Sequence, residues 1–182
     1  MIVAALALAG CRSTPETAAT LSAAGFDPGE AAYIKKNGAG SIQGHAFWRD
    51  DNGGTVNASG EIIRLVPATA YARQRFAVLY KGRRSLPANE IPRVDVDPQY
   101  AEFTRTTRAG SSGRFEFDNI APGVYFVTGQ VRYRDKDAYV KMNAGAYRQK
   151  LHTGNDGGAM FDTVTVTGKE ERPIKLVLTN DR

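Results

Sequence analysis

The strongest structural pattern in the chain runs from residue 114 to residue 125. It reads Arg114-Phe115-Glu116-Phe117-Asp118-Asn119-Ile120-Ala121-Pro122-Gly123-Val124-Tyr125. Phe115 and Phe117 alternate with charged residues, which is typical of a strand with one buried face. Pro122 and Gly123 predict a tight turn, because proline fixes φ at the first corner of a turn and glycine tolerates unusual backbone angles. The stretch therefore predicts a strand, a turn and the start of a second strand.

The residues of this region are expected to be structural rather than catalytic. We expect Gly113 and Gly123 to take positive φ where the chain reverses. Burial of each of the two phenylalanines is worth about 2 kcal/mol. Tyr125 is expected to form a tyrosine corner, with a buried ring and a hydroxyl bonded to nearby backbone. The predicted structural motif consists of Gly113, Phe115, Phe117, Pro122, Gly123 and Tyr125.

Working outward, short alternating runs separated by Gly, Pro, Asn and Asp continue through most of the chain. They predict strands at residues 41–48, 55–67, 101–108, 114–118, 124–134, 161–167 and 174–178, a hairpin at 139–142 and 146–151, and a tight turn at 155–158. Residues 93–97 are a candidate edge strand, and residues 68–79 fit either a short helix or a long loop. Seven or eight strands with little helix predict an all-β fold, an antiparallel β-sandwich with a short helical or disordered N-terminal segment.

Composition restricts the class of protein. The chain has 182 residues, of which 42% are hydrophobic, so it can build a core. Lys and Arg number 24 against 19 Asp and Glu, a net charge of +5 that is spread along the sequence rather than gathered as in nucleic-acid binders. One cysteine excludes an intrachain disulfide, and with two histidines it argues against a tetrahedral zinc site. We therefore expect neither a nucleic-acid partner nor a metal or other cofactor.

The first ten residues are apolar and uncharged. At ~1.5 Å per residue they are too short to cross a hydrocarbon core of ~30 Å, but they fit the apolar region of a signal peptide. Because no charged residues precede them, we expect that translation begins further upstream. The sequence Leu8-Ala9-Gly10-Cys11 resembles a bacterial lipobox. This resemblance implies cleavage before Cys11 and attachment of acyl chains, which anchor a protein to a bilayer.

The segment after the cysteine is predicted to be a tether. Residues 11–40 are rich in Ala, Ser, Thr, Gly and Pro, which favours a lipidated spacer over a helix packed on the domain. Arg12, rather than aspartate, follows Cys11, and this implies sorting to the outer membrane. We therefore expect a cell-envelope location, on the periplasmic or surface face, with residues 41–182 forming the folded domain.

A longer part of the sequence carries a family resemblance. Residues 106–125 combine a threonine-containing strand, a turn, an aromatic-x-aromatic strand and Pro-Gly-x-Tyr. This pattern resembles the carboxypeptidase regulatory-like domain, a family with a transthyretin-like (prealbumin-like) or Ig-like sandwich. The family's acidic turn residue is replaced here by the stretch 108–112. The resemblance extends over residues 41–134 and implies the fold, without implying peptidase activity.

The candidates for catalysis are weak. His45 and His152 are the only imidazoles, and neither belongs to a recognisable triad or nucleophile elbow. No His-x-x-Glu metal pattern occurs. We therefore predict a protein that is not an enzyme and has no catalytic residues.

Two sets of residues are candidates for binding. The densest basic segment consists of Arg73, Arg75, Lys81, Arg83 and Arg84, interleaved with aromatic residues, and it fits either an acidic partner or a solvated helix face. A flat aromatic surface for sugars would draw on Trp48, Tyr71, Tyr80 and Tyr100. Exposed rings would favour glycan binding, whereas buried rings would favour a scaffold.

The sequence thus predicts a non-enzymatic, lipid-anchored envelope protein that acts as a structural or protein-interaction module. Membrane attachment would occur through Cys11, and exposed sheet edges would permit self-association or pairing with an envelope protein. The alternative function is binding of an envelope carbohydrate through the aromatic residues of the sandwich.

Overall fold

Two sheets stacked face to face form a β-sandwich, as predicted. The computed structural model describes residues 25–50, 53–133, 139–141, 147–149 and 156–181. The strands found there are β1 (Gly40–Arg49), β2 (Thr55–Asn57), β3 (Ile62–Pro67), β4 (Ser85–Pro87), β5 (Arg105–Arg108), β6 (Arg114–Ile120), β7 (Gly123–Tyr133), β8 (Tyr139–Lys141), β9 (Tyr147–Gln149), β10 (Asp156–Val166) and β11 (Ile174–Leu178). The helices are α1 (Pro28–Ala31) and α2 (Ala70–Tyr80), with 3₁₀ turns at Ala32–Lys35, Ala88–Glu90 and Pro98–Phe103.

The first sheet is built around β1. Strand β6 pairs antiparallel with its first half and β2 with its last residues, while β11 runs parallel to it. The parallel pair differs from the fully antiparallel arrangement that we predicted. Alternation within a strand reveals which face is buried but carries no information on the direction of its partner, so the sequence could not specify this pairing.

The second sheet has the order β4-β10-β7-β3-β5 and is antiparallel throughout. Its two long strands, β7 and β10, pair from Tyr133 and Asp156 at one end to Gly123 and Val166 at the other. The main core lies between the two sheets, where the second sheet contributes Ile63, Leu65, Val127, Val131, Met160, Val164 and Val166. The first sheet contributes Ile42, Ala46, Trp48, Phe115, Phe117, Leu176 and Leu178 to the same core.

The predicted structural motif around residue 120 is confirmed in most details. Phe115 and Phe117 are buried, and the hydroxyl of the fully buried Tyr125 donates a hydrogen bond of 2.7 Å to the carbonyl oxygen of Ala121. Pro122 lies between β6 and β7, as the turn prediction required.

The two glycines of the motif have different roles. Gly113 has a φ of +75°, as predicted. Gly123 does not take positive φ, and the prediction for it was wrong; Asn119 adopts the left-handed conformation instead, with a φ of 55°. A side chain at Gly123 would collide with the ring of Tyr33, so glycine is needed there for close approach.

The structure defines three segments whose form the sequence left open or only partly specified. The segment predicted at residues 68–79 as helix or loop contains the helix α2 from Ala70 to Tyr80, and Thr69 caps it by accepting a hydrogen bond from the amide of Ala72 at 3.2 Å. The hairpin at β8 and β9 is confirmed. The predicted strand over residues 55–67 is divided into β2 and β3.

Three predicted local structures were wrong. Residues 93–97 do not form a strand, and Asp97 caps the 3₁₀ turn that occupies the start of the predicted strand at 101–108. The predicted turn at residues 155–158 lies largely within β10, because Gly157 accommodates a φ of +100° inside the strand. Glycine pairs mark both turns and irregular strands, so composition alone did not separate the two.

The chain packs against the sandwich from about residue 26 onward. Ala31 and Ile34, which lie in the segment predicted to be a tether, are buried in the main core. The hydroxyl of Tyr33 donates to the carbonyl of Val124 at 2.6 Å and accepts from the amide of Ala68 at 3.1 Å. Residues 1–24, including Cys11, lie outside the described residues. Within the described ranges, no helix is long and apolar enough to cross a membrane.

Candidate ligand-binding groove

Helix α2 covers part of the outer face of the second sheet. Ala72, Phe76 and Tyr80 of the helix pack on Val66, Phe126 and Ala159 of the sheet, forming a second hydrophobic cluster. The ring of Phe76 stacks on that of Phe126 with centroids 4.4 Å apart. The helix ends at Lys81, whose left-handed φ of 49° turns the chain away. The remainder of the outer face is therefore left without a helix over it.

A groove of about 750 Å³ occupies this position. Its floor is the outer face of β3, β5 and β7, and its walls are α2 and the segment 91–96. Across the floor, Arg64 lies directly opposite Thr106 on one neighbouring strand and Thr128 on the other. We call this line of side chains the polar row. It places an arginine between two threonines on β7, β3 and the edge strand β5. Oγ1 of Thr128 also donates a hydrogen bond of 3.0 Å to the carbonyl oxygen of Met160.

Positive charge predominates along the groove. Its lining includes the arginines Arg64, Arg75, Arg93 and Arg132 and the acids Glu61 and Asp95. Arg75 donates from Nη1 to the carbonyl oxygens of Val94 and Asp95 at 3.5 and 3.3 Å, so a helix residue holds the opposite wall.

The other charged side chains of the floor have few protein partners. Arg132 donates to the side-chain oxygen of Gln130 at 2.5 Å. Within the part of the chain that the structure describes, Arg64 has no hydrogen bond or ion pair. Its guanidinium is consequently available to a ligand.

Two tyrosines line the groove with different hydrogen bonding. The hydroxyl of Tyr80 lies 3.1 Å from Oγ1 of Thr128, and burial raises the pKa of Tyr80 to about 12. Burial also raises the pKa of Tyr100, while the nearby charges of Arg75 and Arg64 oppose this increase. Among the described residues, the Tyr100 hydroxyl has no hydrogen-bonding partner. Both hydroxyl groups are therefore protonated near neutral pH. Of the two, the hydroxyl of Tyr100 is the one without a partner among the described residues.

The predicted flat aromatic surface is not present. Trp48, Tyr71 and Tyr80 are only 7%, 5% and 4% exposed, and Tyr100 is half-buried. Trp48 lies between the sheets, and Tyr71 and Tyr80 are on the side of α2 that packs against the protein. The aromatic candidates were chosen by residue type, which does not reveal which face a helix will cover. By the criterion stated above, the burial of these rings favours a scaffold over glycan binding through an aromatic surface. Any sugar site must therefore use other side chains, and of the four rings only Tyr80 and Tyr100 border the groove.

The predicted basic segment is divided among several environments. Arg75 reaches the groove, whereas Arg73 lies 5.9 Å from the ring centroid of Phe126 and is exposed. Arg83 pairs with Glu90 at 2.5 Å, Arg84 pairs with Asp162 at 2.8 Å, and Lys81 is exposed. These five side chains do not form one binding patch, because Arg73 and Arg75 lie on α2 whereas Lys81, Arg83 and Arg84 follow its end.

The residues of the polar row were not predicted from the sequence. Arg64 interrupts the apolar run from Ile62 to Val66, and that interruption is the one available signal. Thr106 and Thr128 fit the ordinary pattern of outward-facing strand residues, so nothing in their spacing distinguished them.

The histidines show no catalytic arrangement where they are described. Nε2 of His45 lies 3.0 Å from Oδ1 of Asn57 at the surface of the first sheet. His152 lies outside the described residues. Over the described ranges, no group of three or more His, Cys, Asp or Glu side chains is placed to hold a metal ion.

Solved structures that resemble the chain include the following two. A crystal structure from Pseudomonas aeruginosa, of a protein provisionally named a carbohydrate binding protein, matches with a TM-score of 0.61 and 25% sequence identity, covering 85% of this chain and 97% of that one. The minor pilin of Streptococcus agalactiae matches with a TM-score of 0.34 and 12% identity, over 79% of this chain and 45% of the pilin. Neither protein is named as an enzyme. No protein-family model and no curated protein matches the sequence.

Proposed function

We propose that the protein binds carbohydrate in the groove on the outer face of its second sheet. The observation that carries this proposal is the polar row of Thr106, Arg64 and Thr128, set beside exposed apolar side chains. Ile62 and Val96, which are 37% and 45% exposed, both border the groove. A sugar offers hydroxyl groups at its rim and C–H groups on its faces, so it needs both kinds of contact. Sites for small ligands are commonly apolar with a few well-placed polar groups.

The likeness to the Pseudomonas aeruginosa protein supports the same function. That protein is named for carbohydrate binding, and the match spans nearly all of its length. A β-sandwich by itself supports many functions, so the argument for this chain depends on the groove and uses the likeness as secondary support.

The cellular setting that we propose is the envelope, with acyl chains on Cys11 holding the domain at a membrane, and the outer membrane as the destination. This part rests on the lipobox resemblance of residues 8–11. Several acyl chains give durable anchoring, since each buried CH₂ contributes about 0.8 kcal/mol. A role as a protein-interaction module, with self-association through the edge strands, stays a prediction.

Glycan binding can be tested with a groove-filling variant. Thr106→Phe places a large ring on the floor of the groove, at an exposed strand position that tolerates aromatic residues. Thr165→Phe is the matched control, because Thr165 is an exposed strand threonine that does not line the groove. Binding is measured by a glycan array followed by calorimetric titration of the best ligand.

We expect the wild-type protein and Thr165→Phe to bind the same glycan, and Thr106→Phe to lose about tenfold or more in affinity, equivalent to about 1.4 kcal/mol. Absence of binding to every glycan on the array, or equal affinity for the two variants, would contradict binding in the groove.

A further inference from the structure

We infer that the sugar bound in the groove carries a carboxylate, and that this group is recognised by Arg64, Arg75 and Tyr100. The inference rests on the proposed function and names the class of ligand: an acidic glycan containing uronic acid. Three independent observations support it, one for each of these side chains.

Among the described residues, Arg64 is a cation without a counter-ion. It is exposed on the outer face of β3, and the residues opposite it on both neighbouring strands are threonines rather than acids. Opposite charges across strands stabilise a sheet, so a pairing with Asp or Glu would have been the stabilising choice. Among the described residues, no carboxylate lies close enough to Arg64 to form an ion pair. An arginine kept in this position is suited to an external anion.

Tyr100 contributes an unused hydrogen-bond donor. A tyrosine hydroxyl is neutral at physiological pH and can donate, and burial raises the pKa of Tyr100 further. Tyr100 is half-buried, so its hydroxyl, which has no partner among the described residues, would gain a hydrogen bond from a ligand oxygen. Arg64, Arg75 and Tyr100 all line the same groove. The guanidinium of Arg75 lies 5.6 Å from the centroid of the Tyr100 ring.

Arg75 is held in place before any ligand arrives. Its Nη1 bonds to the carbonyls of Val94 and Asp95, and its guanidinium carbon lies 5.6 Å from the centroid of the Tyr100 ring. A guanidinium has five N–H donors, so others stay available after these bonds. A planar guanidinium held in one position matches the planar geometry of a carboxylate better than the ammonium group of a flexible lysine would.

The charge balance of the groove agrees with an anionic ligand. Four arginines line it against two acids, Glu61 and Asp95, which oppose an anion. Hydrogen bonds between charged partners are about twice as strong as neutral ones. An acidic sugar would therefore be preferred over a neutral sugar of the same shape.

The test compares acidic sugars with uncharged ones. Oligogalacturonate and hyaluronan oligosaccharides are titrated beside their methyl esters, and neutral cello- and malto-oligosaccharides complete the panel. The variants are Arg64→Gln and Tyr100→Phe. Arg114→Gln is the control, since Arg114 is an exposed strand arginine outside the groove.

We expect an acidic glycan to bind about tenfold or more tightly than its ester, and added salt to weaken this binding. Arg64→Gln and Tyr100→Phe should remove the preference, whereas Arg114→Gln should keep it. Equal binding of acid and ester, or binding of neutral glycans alone, would overturn the charge assignment while leaving carbohydrate binding intact. Failure of the whole panel to bind would overturn both.

Discussion

The guanidinium of Arg75 lies 5.6 Å from the ring centroid of Tyr100, so a residue of α2 contacts the chain segment on the other side of the groove. The same guanidinium bonds to the carbonyls of Val94 and Asp95. Residues 91–97 form neither a strand nor a helix. Side-chain contacts such as those of Arg75 therefore hold this segment in place. A second residue of α2 also holds this segment, because the hydroxyl of Tyr71 accepts a hydrogen bond from the amide of Asp97 at 2.9 Å.

Replacing Arg75 should loosen the wall of the groove formed by residues 91–96. We expect Arg75→Met to speed amide hydrogen exchange at residues 94–97 and to lower the free energy of unfolding by about 1 kcal/mol, the usual worth of such hydrogen bonds. The control is Arg73→Met on the exposed side of the same helix, which should leave exchange in this segment unchanged. Identical exchange in both variants would contradict the role of Arg75.

The tyrosine corner gives a second prediction. Tyr125→Phe removes the bond to the carbonyl of Ala121, which is itself buried, so the free energy of unfolding should fall by about 1–3 kcal/mol. Tyr100→Phe removes a hydroxyl that has no partner in the described chain, so it should leave the free energy of unfolding unchanged or raise it. Urea unfolding of both variants measures the difference. Equal losses in the two would show that the hydroxyl of Tyr125 has no special role.

Gly158 provides a test of the packing around Trp48. An added Cβ there would collide with the carbonyl oxygen of Leu86 and with the indole of Trp48. Gly158→Ala should destabilise the protein by about 1–3 kcal/mol, the common cost of overpacking. At Gly110 the nearest atom to an added Cβ is 3.8 Å away, so Gly110→Ala should be tolerated. Thermal unfolding measures the stability of both variants. Equal stability of Gly158→Ala and Gly110→Ala would contradict this packing.

Alkaline pH should weaken the contact between α2 and the sheet. Burial raises the pKa of Tyr80 from 10.0 to about 12, so the folded protein holds this proton more tightly than the unfolded chain does. The resulting stability is fully present below pH 10 and is lost as the pH rises towards 12. Tyr80→Phe should therefore show a smaller decrease in stability over this interval. Denaturant unfolding at a series of pH values measures the free energy of unfolding of both proteins. The same pH dependence in Tyr80→Phe and in the wild-type protein would contradict this role of Tyr80.

The proposed lipid anchor is tested separately. In cells supplied with a labelled fatty acid, the wild-type protein should incorporate the label and sediment with membranes. Cys11→Ala should remain unprocessed and unlabelled, because the only thiol has been removed. Absence of label from the wild-type protein would rule out the anchor.

The sequence predicted the sandwich much better than it predicted the groove. Alternation around Phe115 and Phe117 depends on local spacing, and the burial of Tyr125 follows from the same short motif. Both features could therefore be predicted from the sequence. The parallel pairing of β11 and the close approach of Tyr33 to Gly123 depend on distant parts of the chain. The groove arises because α2 ends at Lys81 and leaves Arg64 uncovered, and no local pattern encodes that relation.

The most direct test of carbohydrate binding in this groove is amide hydrogen exchange with and without the best ligand from the glycan array. We predict added protection of the floor and walls, at residues 62–66, 94–97 and 126–130, with the first sheet unchanged. Protection confined to β1, β6 and β11 would place the site on the opposite face of the molecule and would contradict the proposal.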